Sequence, residues 1–197
     1  MKRIAIIIGL GVCLALPSWM VAQEDHGEVG VFADYLRFAP TDSVTNFVGV
    51  GGRLGINASP HVAIEGEMNY DFKRNFTSTS SNGISTNFVT TGVRPLTGLF
   101  GPKIQAGTTG PFRVFLTGKV GFINFSTSGT GAVTGGQFSN AVAGVGGAGT
   151  HVAFYPGGGI EGFIGPIGLR LEAGDEIYLN NGTYNNLRVT FGPHIRF

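Results

Sequence analysis

The sequence predicts an all-β fold in which eight antiparallel strands form an up-and-down transmembrane β-barrel. Three observations predict it: apolar and polar residues alternate in runs of about ten residues, short and long connections take turns along the chain, and the last strand is amphipathic. Because successive side chains of a strand point to opposite faces, each run has one apolar and one polar face.

The composition supports a membrane location for this sheet. Charged residues make up only 13% of the 197 residues, and the 34 glycines are more than twice the usual share. A net charge of +1 indicates neither a basic surface for nucleic acid nor an acidic tail. Because the single cysteine is Cys13, an internal disulfide and a cysteine-ligated zinc site are excluded.

Residues 1–22 have the features of a secretory signal peptide. A basic start precedes an apolar run over residues 4–16, which is too short for a transmembrane helix. We place cleavage after Ala22, so that residues 23–28 form a short lead and residues 29–197 form the barrel domain. No later run approaches the apolar length of a membrane helix, so a membrane location requires a closed barrel.

The first predicted strand, residues 29–38, precedes the clearest hairpin of the sequence, residues 47–72. Each run of this hairpin has apolar side chains on one face and charged residues, asparagine or glycine on the other. Residues 57–60 supply the turn between the runs. A soluble barrel would turn the apolar face inward and a membrane barrel would turn it outward, and alternation alone does not distinguish the two.

Five further strands follow the hairpin with the same alternation. In the sixth strand of the chain Pro156 and three glycines interrupt the pattern. In the seventh strand Asp175 falls on the apolar face, which indicates a bulge near Gly174 or an exit from the membrane. These five strands are residues 96–106, 112–124, 151–162, 168–178 and 187–197.

The connections alternate between short turns and loops. Residues 73–95 and 126–150 are predicted to be long outer loops, rich in small polar residues. Outer membrane barrels place short turns in the periplasm and long loops outside, an order that a soluble lipocalin-type barrel has no reason to keep. Aromatic residues at the predicted outer ends of strands indicate an interfacial girdle. These are Tyr35, Phe38, Phe47, Tyr70, Phe72, Phe125 and Tyr178.

The last strand adds a second signal. Phe191, Ile195 and the terminal Phe197 lie on its apolar face, and Pro193 departs from the pattern. This strand resembles the signal by which the outer-membrane assembly machinery recognises bacterial barrels. Together with the hairpin, the chain resembles the outer membrane β-barrel family that includes the OmpA-type transmembrane domain, without the peptidoglycan-binding domain of some relatives. The resemblance implies that the lipid bilayer and the assembly machinery are partners.

Charged side chains of both signs project inward in this register. An eight-stranded barrel has an interior just wide enough to be filled by side chains. Unpaired charges would be costly there, so we expect a network of ion pairs across the lumen. Its predicted members are Arg53, Glu65, Glu67, Lys103, Lys119, Glu161, Arg170, Glu172, Arg188 and Arg196.

The sequence indicates no catalytic, cofactor or metal site. A lipid-modifying barrel hydrolase would need a His-x-Ser pair, which is missing at His61, His151 and His194. Gly144, Gly146 and Gly149 match a dinucleotide motif in spacing only, because the required strand and helix do not flank them.

The predicted function is that of a monomeric outer membrane protein with a plugged lumen and a structural or surface-interaction role through its long loops. Two alternatives stay open. One is a narrow porin-like channel for small solutes, which planar-bilayer conductance would reveal. The other is a soluble periplasmic barrel that binds a ligand in an apolar interior and needs no detergent.

Overall fold

The structure, a computed structural model, describes residues 26–38, 45–81, 86–107, 110–130 and 149–197. These residues form antiparallel strands joined in one sheet. Among them, no helix is long and apolar enough to cross a membrane. The strands are β1 (Gly27–Phe38), β2 (Thr45–Ser59), β3 (Val62–Asp71), β4 (Arg74–Ser81), β5 (Thr86–Ala106), β6 (Phe112–Thr130), β7 (Gly149–Ile164), β8 (Ile167–Leu179) and β9 (Thr183–Arg196).

Strands β3 and β4 together form one strand of the barrel, because both pair with β5. Tyr70 lies opposite Leu96 and Arg74 lies opposite Val93, so residues 71–73 face only two residues of β5. This mismatch is a β-bulge, which bends the strand where it leaves the barrel. Since β1 pairs with β9 and β3 pairs with β5, the sheet closes on itself. The predicted eight-stranded antiparallel barrel is confirmed.

The two faces of the sheet differ sharply in polarity. Leu54 and Leu116 on the outer face are 66% and 71% exposed, whereas Glu65 and Lys103 on the inner face have no exposed surface. Alternation along each strand produces this separation, because apolar and polar residues occupy alternate positions. The soluble alternative requires the opposite arrangement, with the apolar face inside.

The two ends of the barrel have different connections. Short turns at residues 60–61 and 165–166 join strands at one end, called here the turn end, where Gly27 and Phe197 exchange backbone hydrogen bonds of 2.8 and 2.9 Å. At the opposite end, the loop end, β4, β5 and β6 continue beyond the other strands.

Part of each predicted long loop is in fact strand. Residues 74–81 pair with 86–93, and residues 90–94 pair with 126–130. The loop prediction for these residues was wrong because it relied on alternation. A strand that projects beyond a membrane needs no one-sided apolar face, and so it shows no period. The rest of the second loop, residues 131–148, lies outside the described residues, as do Gly144 and Gly146.

The irregular positions in β7 and β8 do not break the barrel. Pro156 lies opposite Gly118 in the ladder with β6 and is missing from the ladder with β8, since proline has no N–H to donate. Strand β8 keeps one register with β9 on both sides of Gly174. Of the two alternatives for Asp175, the bulge near Gly174 is therefore wrong, and an exit from the membrane stays a prediction. Asp175 stays on the outer face, where its Oδ1 accepts the backbone N–H of Asn186 at 2.8 Å.

Candidate functional site

The structure places nine of the ten predicted lumen side chains inside the barrel, each at most 7% exposed. The tenth, Arg196, is half-buried at the turn end, with its guanidinium carbon 4.0 Å from the ring centroid of Phe163. It also donates a 3.4 Å hydrogen bond to the carbonyl of Gly165. The nine buried residues are Arg53, Glu65, Glu67, Lys103, Lys119, Glu161, Arg170, Glu172 and Arg188.

Glu65 of β3 lies at the centre of these charges. Arg170 of β8 donates to both of its carboxylate oxygens, which is the bidentate geometry of a strong pair. Lys103 Nζ lies 3.0 Å from Oε1, and Lys119 Nζ lies 3.3 Å from Oε2. A single carboxylate thus holds cations from β5, β6 and β8 across the lumen.

Glu67 and Glu172 each share some of their cations with Glu65. The Glu67 carboxylate lies 2.8 Å from Arg53, 2.7 Å from Lys119 and 2.8 Å from Arg188. Glu172 is contacted by Arg53, Lys119 and Arg170 at 3.0, 3.1 and 2.6 Å. Because each cation serves several carboxylates, the charges form one connected network rather than separate pairs.

Three more carboxylates extend this network, and sequence analysis left them out. Glu28 accepts a 2.7 Å hydrogen bond from Lys103 at the turn end. Nearer the loop end, Arg188 contacts Asp34 at 2.7 Å and Glu176 at 3.5 Å. The sequence carried a signal for each. Glu28 and Asp34 alternate with the apolar residues of β1, and Glu176 lies four residues from Glu172, on the same face of β8.

Above the charges, toward the loop end, an aromatic layer fills the lumen. Phe38 packs with its ring centroid 5.7 Å from those of Phe47 and Phe125, and 6.1 Å from that of Tyr178. All four are at most 1% exposed. The girdle assignment of these four was therefore wrong.

Only the other three predicted girdle residues point outward. Tyr35, Tyr70 and Phe72 are 38%, 41% and 50% exposed, and the rings of Tyr70 and Phe72 lie 6.3 Å apart. These side chains are placed where an interfacial aromatic belt would be.

Two layers of side chains fill the described part of the lumen. Charged side chains with little or no exposed surface fill its middle, and the aromatic layer covers them on the loop side. A cavity of about 10 Å³ lies beside Glu28 and His194, which is about the size of one water. The arrangement is that of a filled barrel core.

The histidines considered for catalysis lie far apart in the fold. His61 is exposed at a turn, and His151 lies near the loop end with its ring 6.0 Å from those of Phe125 and Tyr178. His194 points into the lumen at the turn end, where it is 7% exposed. The structure does not bring these three side chains together.

No family model and no curated protein matches this chain, but solved structures do. It is similar to Ail, the attachment invasion locus protein of Yersinia pestis, at 11% identity and a TM-score of 0.55, over 89% of this chain and 100% of that one. The N-terminal β-barrel domain of Pseudomonas aeruginosa OprF matches at 12% identity and 0.52, over 88% and 100%. Neisserial surface protein A matches at 8% identity and 0.56, over 87% and 97%. At these identities the likeness shows the fold.

Proposed function

From the fold of an eight-stranded outer membrane barrel, we propose that this protein resides in the outer membrane and acts at the cell surface as a non-conducting interaction protein without catalytic chemistry. The filled lumen carries this proposal. Because charged and aromatic layers occupy the interior, the projecting strands are the part of the described chain that is open to a partner.

The outer face supports the membrane location. Large apolar side chains such as Ile56, Leu116 and Ile160 are exposed, as a lipid-facing surface requires. Residues 1–22 would serve as the export signal. Phe191, Ile195 and Phe197 are 53%, 49% and 45% exposed, so the side chains of the proposed assembly signal lie on the outer face of the last strand. We expect the mature protein to be a monomer.

The projecting strands supply a candidate interaction surface. Strand β5 has 21 residues, whereas about ten suffice to cross a membrane. Strand β4 pairs with β5, and in the described ladders its other edge carries no strand. An open edge offers backbone N–H and C=O groups to an added strand of another protein. A partner in extended conformation fits this surface.

Planar-bilayer recording tests the central claim of a closed lumen. We expect the refolded protein to insert without producing conductance. Glu67→Ala and Lys119→Ala open the middle of the network, and conductance that appears in these variants alone would mean that the charges close the path. Steady conductance of the unaltered protein would overturn the proposal in favour of the channel for small solutes.

A further inference from the structure

The side chain of His194 is buried at the turn end of the lumen. It is 7% exposed, and neither ring nitrogen has a hydrogen-bond partner among the described residues. The ring meets that of Phe163 edge-on at a centroid distance of 5.0 Å. A Cβ on Gly168 would lie 2.5 Å from Cε1 of His194, so glycine at that position leaves space for the ring. A buried imidazole with two free nitrogens is costly.

Two carboxylates face this imidazole. One oxygen of Glu28, one oxygen of Glu161 and one ring nitrogen of His194 lie within 4.8 Å of one another. Lys103 engages the Oε1 atoms of Glu28 and Glu161, at 2.7 and 3.0 Å. The Oε2 atom of Glu161 has no hydrogen-bond partner among the described residues. The histidine and one carboxylate therefore each keep an atom that could bind a metal ion.

We propose that Glu28, Glu161 and His194 bind a divalent first-row transition cation such as Zn²⁺. One imidazole and two carboxylates form a ligand set that zinc accepts, with a water completing the coordination. The cavity of about 10 Å³ is lined by Glu28, His194 and Arg170 but not by Glu161, and it has room for that water. The cation would satisfy the imidazole, which otherwise lies unpaired in the barrel.

The surrounding charge favours a cation over an anion. Among the described residues, buried acidic side chains outnumber buried lysines and arginines by eight to six. At the site itself, Glu28, Glu65 and Glu161 surround Lys103 and Arg170. These two basic side chains repel a metal ion and limit its affinity, but they occupy the Oε1 atom of Glu161 and leave its Oε2 free.

A metal at this position would connect the first and last strands of the barrel. Glu28 belongs to β1, Glu161 to β7 and His194 to β9. Strands β1 and β9 are the first and last of the chain and pair with each other, with His194 opposite Gly30. The bound ion would clamp the seam at which the barrel closes.

Zinc binding to the refolded mature chain, produced without an affinity tag, tests this proposal. We expect one equivalent of Zn²⁺ to remain after desalting, measured by mass spectrometry. His194→Gln and Glu161→Gln should each lower the zinc affinity by at least about 100-fold, the upper end of what loss of a supporting residue costs. The matched control is His61→Gln, at an exposed turn, which should bind zinc normally. The fast-migrating unboiled band on a gel reports that each variant is folded.

A second measurement needs no variant. During a zinc titration of the unaltered protein, the ring signals of His194 in an NMR spectrum should change up to one equivalent, while those of His61 stay constant. Absence of stoichiometric zinc from the unaltered protein would overturn the proposal and leave a buried water as the partner of His194. Equal affinity in His194→Gln would overturn it as well, because the ion would then lie elsewhere.

Discussion

Replacing Arg188 with methionine should destabilise the barrel more than any substitution of an exposed arginine. Arg188 has no exposed surface, and its guanidinium lies 2.7 Å from Asp34, 2.8 Å from Glu67 and 3.5 Å from Glu176. Removing one partner of a buried ion pair costs about 3–5 kcal/mol, because the opposite charge is left uncompensated. Glu67 keeps Arg53 and Lys119, so Asp34 and Glu176 account for most of the loss.

Urea unfolding in lipid vesicles, followed by the shift between folded and unfolded bands on an unboiled gel, measures this loss. We expect the free energy of unfolding of Arg188→Met to fall by about 3–5 kcal/mol. The control Arg37→Met changes an exposed arginine of β1 and should stay within about 0.5 kcal/mol.

A double variant separates lost charge compensation from lost packing. Adding Asp34→Asn to Arg188→Met removes a carboxylate that the arginine compensated, so part of the stability should return. For side chains in contact the coupling is about 0.5–3 kcal/mol. If Arg188→Met unfolds at the urea concentration of the unaltered protein, the network does not stabilise the barrel and the reasoning is refuted.

Three further predictions concern the aromatic layer, the projecting strands and the last residue. Phe38→Ala should lower the free energy of unfolding by about 3–5 kcal/mol through the cavity that it leaves, whereas Phe100→Ala on the outer face should cost less; equal losses would contradict an inner position for Phe38. Trypsin added to intact cells should cleave after the exposed Lys73 or Arg74, and protection in cells but not in lysates would reverse the proposed orientation. Phe197→Ala should reduce the amount of folded barrel in the outer membrane without changing stability after refolding, and an unchanged amount would argue against the assembly signal.

The inward and outward positions could be predicted from the sequence because they depend only on parity, that is, on whether a residue is an odd or an even number of positions along its strand. Glu65 and Leu54 are assigned to opposite faces by their neighbours, whatever the barrel's final shape. The same parity rule would have corrected the wrong prediction for the aromatic residues. Phe38 lies four residues from Asp34, on the same face, so its position within the strand predicted an inward ring. The girdle assignment relied on closeness to the strand end and ignored that parity.

The contacts across the lumen could not be predicted in the same way. Glu65 and Arg170 are 105 residues apart, and their meeting depends on the stagger of the strands around the closed barrel. The cluster of Glu28, Glu161 and His194 depends on the same closure, since each residue is isolated in the sequence. The prediction for the projecting hairpin failed for another reason. Residues 74–81 extend beyond the membrane, so nothing requires their apolar and polar residues to alternate.

The charged interior also explains how this chain selects one register. A slip of β8 by one residue would turn Arg170 and Glu172 toward lipid and bring Leu171 into the lumen. A single arginine facing the middle of the bilayer costs about 2–4 kcal/mol, and its former partner Glu65 would remain buried without it. If the interior were apolar, both faces of the strand would carry apolar side chains. A slip by one residue would then place apolar side chains in the lumen and toward lipid as before, at no such cost. The ion pairs therefore distinguish inside from outside even where each pair adds little to stability.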